Sequence, residues 1–144
     1  VEIRERLVGD EDPRIDDELA NVVAFTGNPT SSTDDRYLVN AQVGDLDVVS
    51  SDPGVYPEQD LLTVTEGTVT AVERMQGSSE LPAGEWVLDD QRLEELGALL
   101  WELAGVYPVD GVVPEGATEL LDTEWKILAD GSLVIKQVRP FLRE

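Results

Sequence analysis

The sequence predicts an α+β fold, a mostly antiparallel sheet carrying one main helix, and three observations lead there. Short β-branched runs, about five to seven of them, alternate with glycine, proline and aspartate punctuation. Two pairs of these runs are joined by tight turns, at Glu66-Gly67 and at Ala129-Asp130-Gly131, which implies hairpins. A single stretch places Leu93, Leu96, Leu100 and Leu103 at helical spacing. At 144 residues the chain suits one domain, spanning 1–144.

The first 19 residues are charged, with Asp10, Asp12, Asp16 and Asp17 crowded around Pro13. A strand end and a solvated connection are expected, because these carboxylates lack the spacing and glycine of a calcium loop. The chain opens on Val1 and not on Met, so it is expected to begin inside a longer polypeptide. Asn21-Val22-Val23-Ala24-Phe25-Thr26 then reads as a buried strand stopped by Gly27-Asn28-Pro29.

After a polar bend over 30–35, residues 36–43 form a second strand that Gly44 ends. Val48-Val49-Ser50 is expected to be a short extended piece, and Pro53, Gly54 and Pro57 mark an irregular crossing. Residues 60–65 and 68–75 are the arms of the first hairpin. The helix is expected over 89–104, with Asp89 or Asp90 capping its free amides and Gly105 ending it. A loop over 106–116 follows, broken by Pro108, Gly111 and Pro114. The final strands cover 119–128 and 132–138, the last ending near Arg139 because Pro140 has no N–H for a ladder. Trp101, beside the leucine stripe, and Trp125, alternating with Glu124, are expected in the core.

Composition excludes several classes of function. Thirty-one acidic residues against 10 basic ones leave a net charge of −21, which repels nucleic-acid backbones and anionic lipid, so neither is an expected partner. The same surplus suits a high-salt environment, or is simply the composition of this domain. Hydrophobic residues make up 41% of the chain, enough for a core. With no cysteine and no histidine there is no thiolate nucleophile, imidazole base or Ser-His-Asp triad. Any metal must be held by oxygen, which favours magnesium, manganese or calcium. No apolar run is long enough to span a bilayer and no signal segment opens the chain, so cytoplasmic residence is expected. Walker and dinucleotide-binding patterns are absent too.

The terminal hairpin carries the most informative chemistry. Asp122 and Glu124 share a face of one arm, and Gln137 and Arg139 share a face of the other, with Lys136 opposite. A bend at Asp130-Gly131 returns Gln137 roughly opposite Glu124. A carboxylate, an amide oxygen and a guanidinium then converge, and the first two suit Mg2+ while the third suits phosphate. Ordinary surface residues and a plain Glu124–Arg139 ion pair explain the same arrangement. The many paired carboxylates single out no glycosidase pair.

The order of residues adds to this. Asp122-Thr123-Glu124-Trp125, then Asp130-Gly131-Ser132-Leu133 through Lys136-Gln137-Val138-Arg139-Pro140, resembles the closing hairpin of the ATP-binding domain of the phosphoenolpyruvate synthase and pyruvate phosphate dikinase family. Upstream, Val23-Ala24-Phe25-Thr26-Gly27-Asn28-Pro29 is similar to that family's Val-Ala-Phe-Thr-x-x-Pro strand and loop. Asn40-Ala41-Gln42-Val43-Gly44, Val48-Val49-Ser50 and Pro57-Glu58 follow in the family's order, so the resemblance runs from about residue 20 to residue 140. Val22 departs from it, standing where the family commonly has glycine.

The resemblance implies the second, C-terminal lobe of an ATP-grasp domain, with ATP and Mg2+ as cofactors. It implies Glu124 and Gln137 as metal ligands, Arg139 as the catalytic arginine on the terminal phosphates, and Thr26 and Asn28 in a loop closing near the nucleotide. A threonine cap and an asparagine turn account for those last two equally well. The implied partners, in cis or in trans, are the N-terminal ATP-grasp lobe and a phosphohistidine-type domain. Phosphoryl transfer needs donors on both sides of the phosphates, so the lobe alone is expected to be catalytically incomplete. The alternative is a non-catalytic acidic module that binds another protein.

Overall fold

The computed structural model describes residues 18–44, 48, 52–107 and 115–143. The acidic opening stretch, Val49 and Ser50, and most of the expected loop after the helix lie outside the described residues. The described elements are β1 (Glu18–Phe25), β2 (Tyr37–Val43), β3 (Glu58–Thr65), β4 (Thr68–Gln76), α1 (Asp90–Val106), β5 (Thr118–Leu128) and β6 (Leu133–Arg143). All six strands form one antiparallel sheet in the order β4-β3-β2-β1-β5-β6. The α+β expectation of a mostly antiparallel sheet with one helix therefore holds among the described residues.

Each hairpin follows from its turn. Glu66 and Gly67 both have positive φ, 49° and 82°, the left-handed pair that matches the twist of the flanking strands. At the second turn Gly131 has φ 85° and its N–H reaches Leu128 O at 2.8 Å. The helix begins where Asp89, in extended backbone, accepts the Arg92 N–H at 2.8 Å. It runs two residues beyond the expected end, because Gly105 stays helical and Tyr107 N–H closes the last turn on Leu103 O.

The helix lies on one face of the sheet and the core lies between them. Val22, Ala24, Val39, Ala41, Leu62, Trp125 and Ile135 alternate toward Leu93, Leu96 and Leu100. Burying each of those leucines is worth about 1.5–3 kcal/mol. Close approach of α1 to β3 and β4 depends on Gly97, since a methyl there would run into Val69 Cγ2. Trp125 is buried as expected, with its indole N–H donating to Thr123 Oγ1 at 2.7 Å. Trp101 is not: it is 45% exposed, about 100° around the helix from the Leu100 stripe, and covers Gly67 from the side.

The last strand also departs from expectation. Pro140 does not end β6, which continues to Arg143 with Pro140 opposite Leu121. β6 is an edge strand, and an edge has one side with no ladder for proline to break. Among the described residues no helix is long and apolar enough to cross a membrane.

Candidate functional site

The face of the sheet turned away from α1 is read most simply as rows running across the strands. Strand register sets Gln59, Asn40, Val23, Glu124 and Gln137 side by side from β3 to β6. The next row is Leu61, Leu38, Phe25, Asp122 and Arg139. The apolar residues of both rows sit at the β1–β3 end and the charged ones on β5 and β6. Glu124 is directly opposite Gln137, the pairing expected from the hairpin turn.

A β-bulge makes that pairing possible. Between Glu124 and Trp125 the register shifts, so that Trp125 faces Ile135 while Glu124 faces Gln137, leaving Lys136 as the extra residue. In an unbroken ladder Ile135 and Gln137 would share one face. The bulge lets Ile135 stay in the core, 2% exposed, while Gln137 reaches the open face beside Glu124.

Arg139 does not pair with Glu124. Its Nε donates to Asp122 Oδ2 at 2.8 Å, and the Arg139 side chain is 59% exposed against 8% for Asp122. The hydrogen bond and charge of Asp122, and more weakly the charge of Glu124, raise the guanidinium's pKa further. Asp122, and not Glu124, is thus the carboxylate bonded to Arg139, a pairing the hairpin pattern did not single out although both acids share one face. Lys126 lies two residues further along the same face of β5, with Nζ 2.8 Å from Asn21 Oδ1.

Thr26 and Asn28 build the loop that follows β1. Thr26 Oγ1 accepts the Leu121 N–H at 2.9 Å while the Thr26 N–H donates to Leu121 O at 3.1 Å, extending the contact of β1 with β5. Asn28 Oδ1 accepts from Thr30 N and Oγ1 at 3.0 and 2.7 Å, and its Nδ2 donates to Asp34 Oδ2 at 3.0 Å. Hydrogen bonds from Arg36, opposed by partial burial and aided by Asn28, hold the Asp34 carboxyl well below the usual carboxylate range. Arg143, at the end of β6, clamps the loop through Nη1 to Asn28 O and Asp34 O at 3.2 and 3.0 Å. Both predicted loop residues therefore spend their side-chain polar atoms on loop architecture next to Phe25 and Leu121.

A second polar cluster, not foreseen from sequence, sits on the helix side. Glu58 and Asp60 are both fully buried on β3. Glu58 accepts Val87 N–H at 2.8 Å and Leu88 N–H at 3.3 Å, tying the approach to α1 onto the sheet. Arg74, opposite Asp60 on β4, donates to Leu88 O at 2.8 Å and Asp90 Oδ1 at 2.9 Å, and lies 4.7 Å from the Trp86 ring centre. It reaches Asp60 Oδ1 at only 3.4 Å, and Asp60 Oδ2 is buried without a partner. Burial and then the adjacent Glu58 carboxylate push the Asp60 carboxyl well above the usual carboxylate range, up to about 8.

For a metal, the relevant donors are oxygens. Among the described residues no group of three or more acidic side chains is placed to hold an ion. Glu124 and Gln137 offer one carboxylate and one amide oxygen from adjacent strands. That donor set fits Mg2+, which keeps several waters and takes phosphate oxygens beside one or two protein ligands. The chain matches no family model and no curated protein.

Proposed function

We propose that the open face of β5 and β6 receives the Mg2+-triphosphate end of ATP. In this reading the chain is the C-terminal ATP-grasp lobe of a phosphotransferase resembling the phosphoenolpyruvate synthase and pyruvate phosphate dikinase family. The observation that carries it is the register that sets Glu124 against Gln137 and, one row along, Asp122 against Arg139. Glu124 and Gln137 would hold the metal, which when bound neutralises phosphate charge. Arg139 binds and orients the terminal phosphate, its fork of N–H donors matching two phosphate oxygens. Asp122 positions that guanidinium from below, and Thr26 and Asn28 shape the loop flanking it.

A chain with 21 net negative charges attracts a nucleotide only through magnesium and a few local cations. The remaining donors come from an N-terminal ATP-grasp lobe and the phosphoryl group passes to a phosphohistidine-type domain, both outside these residues. The chain is accordingly catalytically incomplete by itself, and its place is the cytoplasm, where Mg-ATP is available. Titrating the labelled protein with Mg-ATP tests the reading by NMR. Chemical-shift changes centred on Glu124, Gln137 and Arg139 support it. No response at millimolar nucleotide overturns it and favours the acidic protein-interaction module.

A further inference from the structure

We infer that the open face of β1–β3 holds a binding slot for a neutral aromatic or heteroaromatic molecule bearing an N–H donor. This goes beyond the nucleotide reading and stands without it. The cavity has a volume of about 520 Å³, within the usual range for small-molecule sites. Its walls are the apolar halves of the two rows, Val23, Phe25 and Leu38, closed at the sides by Val48, Val55 and Pro57. None of the described lining residues is charged, although 28% of the chain is Asp, Glu, Lys or Arg.

The slot contains one unmet polar demand. Asn40, between Val23 and Gln59 in the first row, lines the cavity, and its Oδ1 is buried with no hydrogen-bond partner. A buried acceptor left unsatisfied is costly, and an N–H from a bound molecule removes the cost. Charge decides the rest of the ligand's character. An anion would meet a protein of net charge −21 with no cation among the described lining residues, and a cation would find no carboxylate among them.

The walls are held open before any ligand arrives, which lowers the cost of binding. Phe25 is fixed edge-on against Phe141, with ring centres 5.8 Å apart and an interplanar angle of 73°. At the rim the Tyr56 main chain is pinned on both sides. Its N–H donates to Ser79 Oγ at 2.8 Å, and its carbonyl accepts from Ser79 N at 3.0 Å and from Gln42 Nε2 at 3.0 Å. Gln42 is itself fully buried and bonded to Ser78.

The test uses the whole chain and two probes of nearly equal shape: benzamide, which has N–H donors, and methyl benzoate, which has none. The expected result is saturable NMR shifts at the Asn40 side-chain amide and at Phe25 with benzamide, at least about threefold tighter than with methyl benzoate. In Asn40→Leu the preference disappears, benzamide weakening while methyl benzoate does not. Equal affinity of the two probes for the unaltered protein, shifts confined to residues outside the slot, or no saturation by benzamide would each overturn the inference. The comparison on the unaltered protein decides the matter even where Asn40→Leu does not fold. Because neither probe carries phosphate, the outcome is separate from that of the Mg-ATP titration.

Discussion

Arg139 Nε and Asp122 Oδ2 are 2.8 Å apart across β5 and β6, so the guanidinium facing the open side of the sheet is anchored from a nearly buried carboxylate. That bond uses Nε alone among the described contacts and leaves both Nη groups for a second acceptor. An arginine held in this way presents its fork in a fixed orientation at little entropic cost.

Replacing the fork while keeping the charge separates binding from folding. Arg139→Lys should weaken Mg-ATP about tenfold and change stability by less than about 0.5 kcal/mol. Arg139→Ala should in addition cost about 1–2 kcal/mol, because Asp122 loses its partner. NMR titration and urea unfolding of the two variants measure this, and undiminished nucleotide affinity in Arg139→Lys would remove the phosphate role.

Metal removal gives a second prediction. With EDTA in excess, ATP should no longer perturb Glu124 and Gln137, since an anion alone has no reason to approach a carboxylate. Glu124→Gln should raise the magnesium concentration needed for half-maximal ATP response about tenfold. Identical ATP shifts with and without magnesium would contradict the metal assignment.

The buried Glu58–Asp60 pair sets a pH dependence. An aspartate titrates near 3.9 in an unfolded chain, whereas Asp60 is pushed up to about 8 when folded, so the folded protein binds the extra proton between those values. Its contribution is full below about pH 4 and is lost as pH rises toward about 8. The unaltered protein should therefore lose stability steadily as pH rises from 5 toward 8 through this group. Asp60→Asn, which stays neutral, should flatten that decline. Asp34, held low by Arg36, works in the opposite sense, its contribution disappearing as the medium becomes strongly acid. Urea midpoints at several pH values check this, and parallel profiles for the two proteins would refute it.

Thr123 joins two strands through its hydroxyl, donating to Ala24 O and accepting from Trp125 Nε1, both at 2.7 Å. Thr123→Val has nearly the same shape but strands a buried carbonyl and a buried indole N–H. It should cost about 2–3 kcal/mol, with Thr123→Ser recovering most of it. Equilibrium unfolding in urea reads the difference directly.

Much of this fold was legible because its signals are local. Glu66-Gly67 and Asp130-Gly131 specify turns through backbone conformations that few residues adopt, and Asp89 marks a helix start through a bond only three residues long. Counting outward from the second turn brings Glu124 only as far as Lys136, roughly opposite Gln137, and the bulge supplies the last step. Local rules failed where a residue's role depends on what lies beside it. Pro140 is tolerated because no strand pairs beyond β6 among the described residues, and Trp101 lies against Gly67, which has no side chain to cover it. Glu58 and Asp60 look like solvated residues until Arg74 and the Val87 and Leu88 amides close around them.

Composition, turns, strand and helix positions and the character of the terminal hairpin were thus determined by the amino-acid order alone. Tertiary structure decided the bulge at Lys136, the choice of Asp122 as the partner of Arg139, and the rows that join Asn40 to Glu124 across the sheet. The reason is geometric. Side-chain parity repeats every two residues within a strand, but which faces meet is set by register between strands, and burying Trp125 against Ile135 selected the register that puts Gln137 outside.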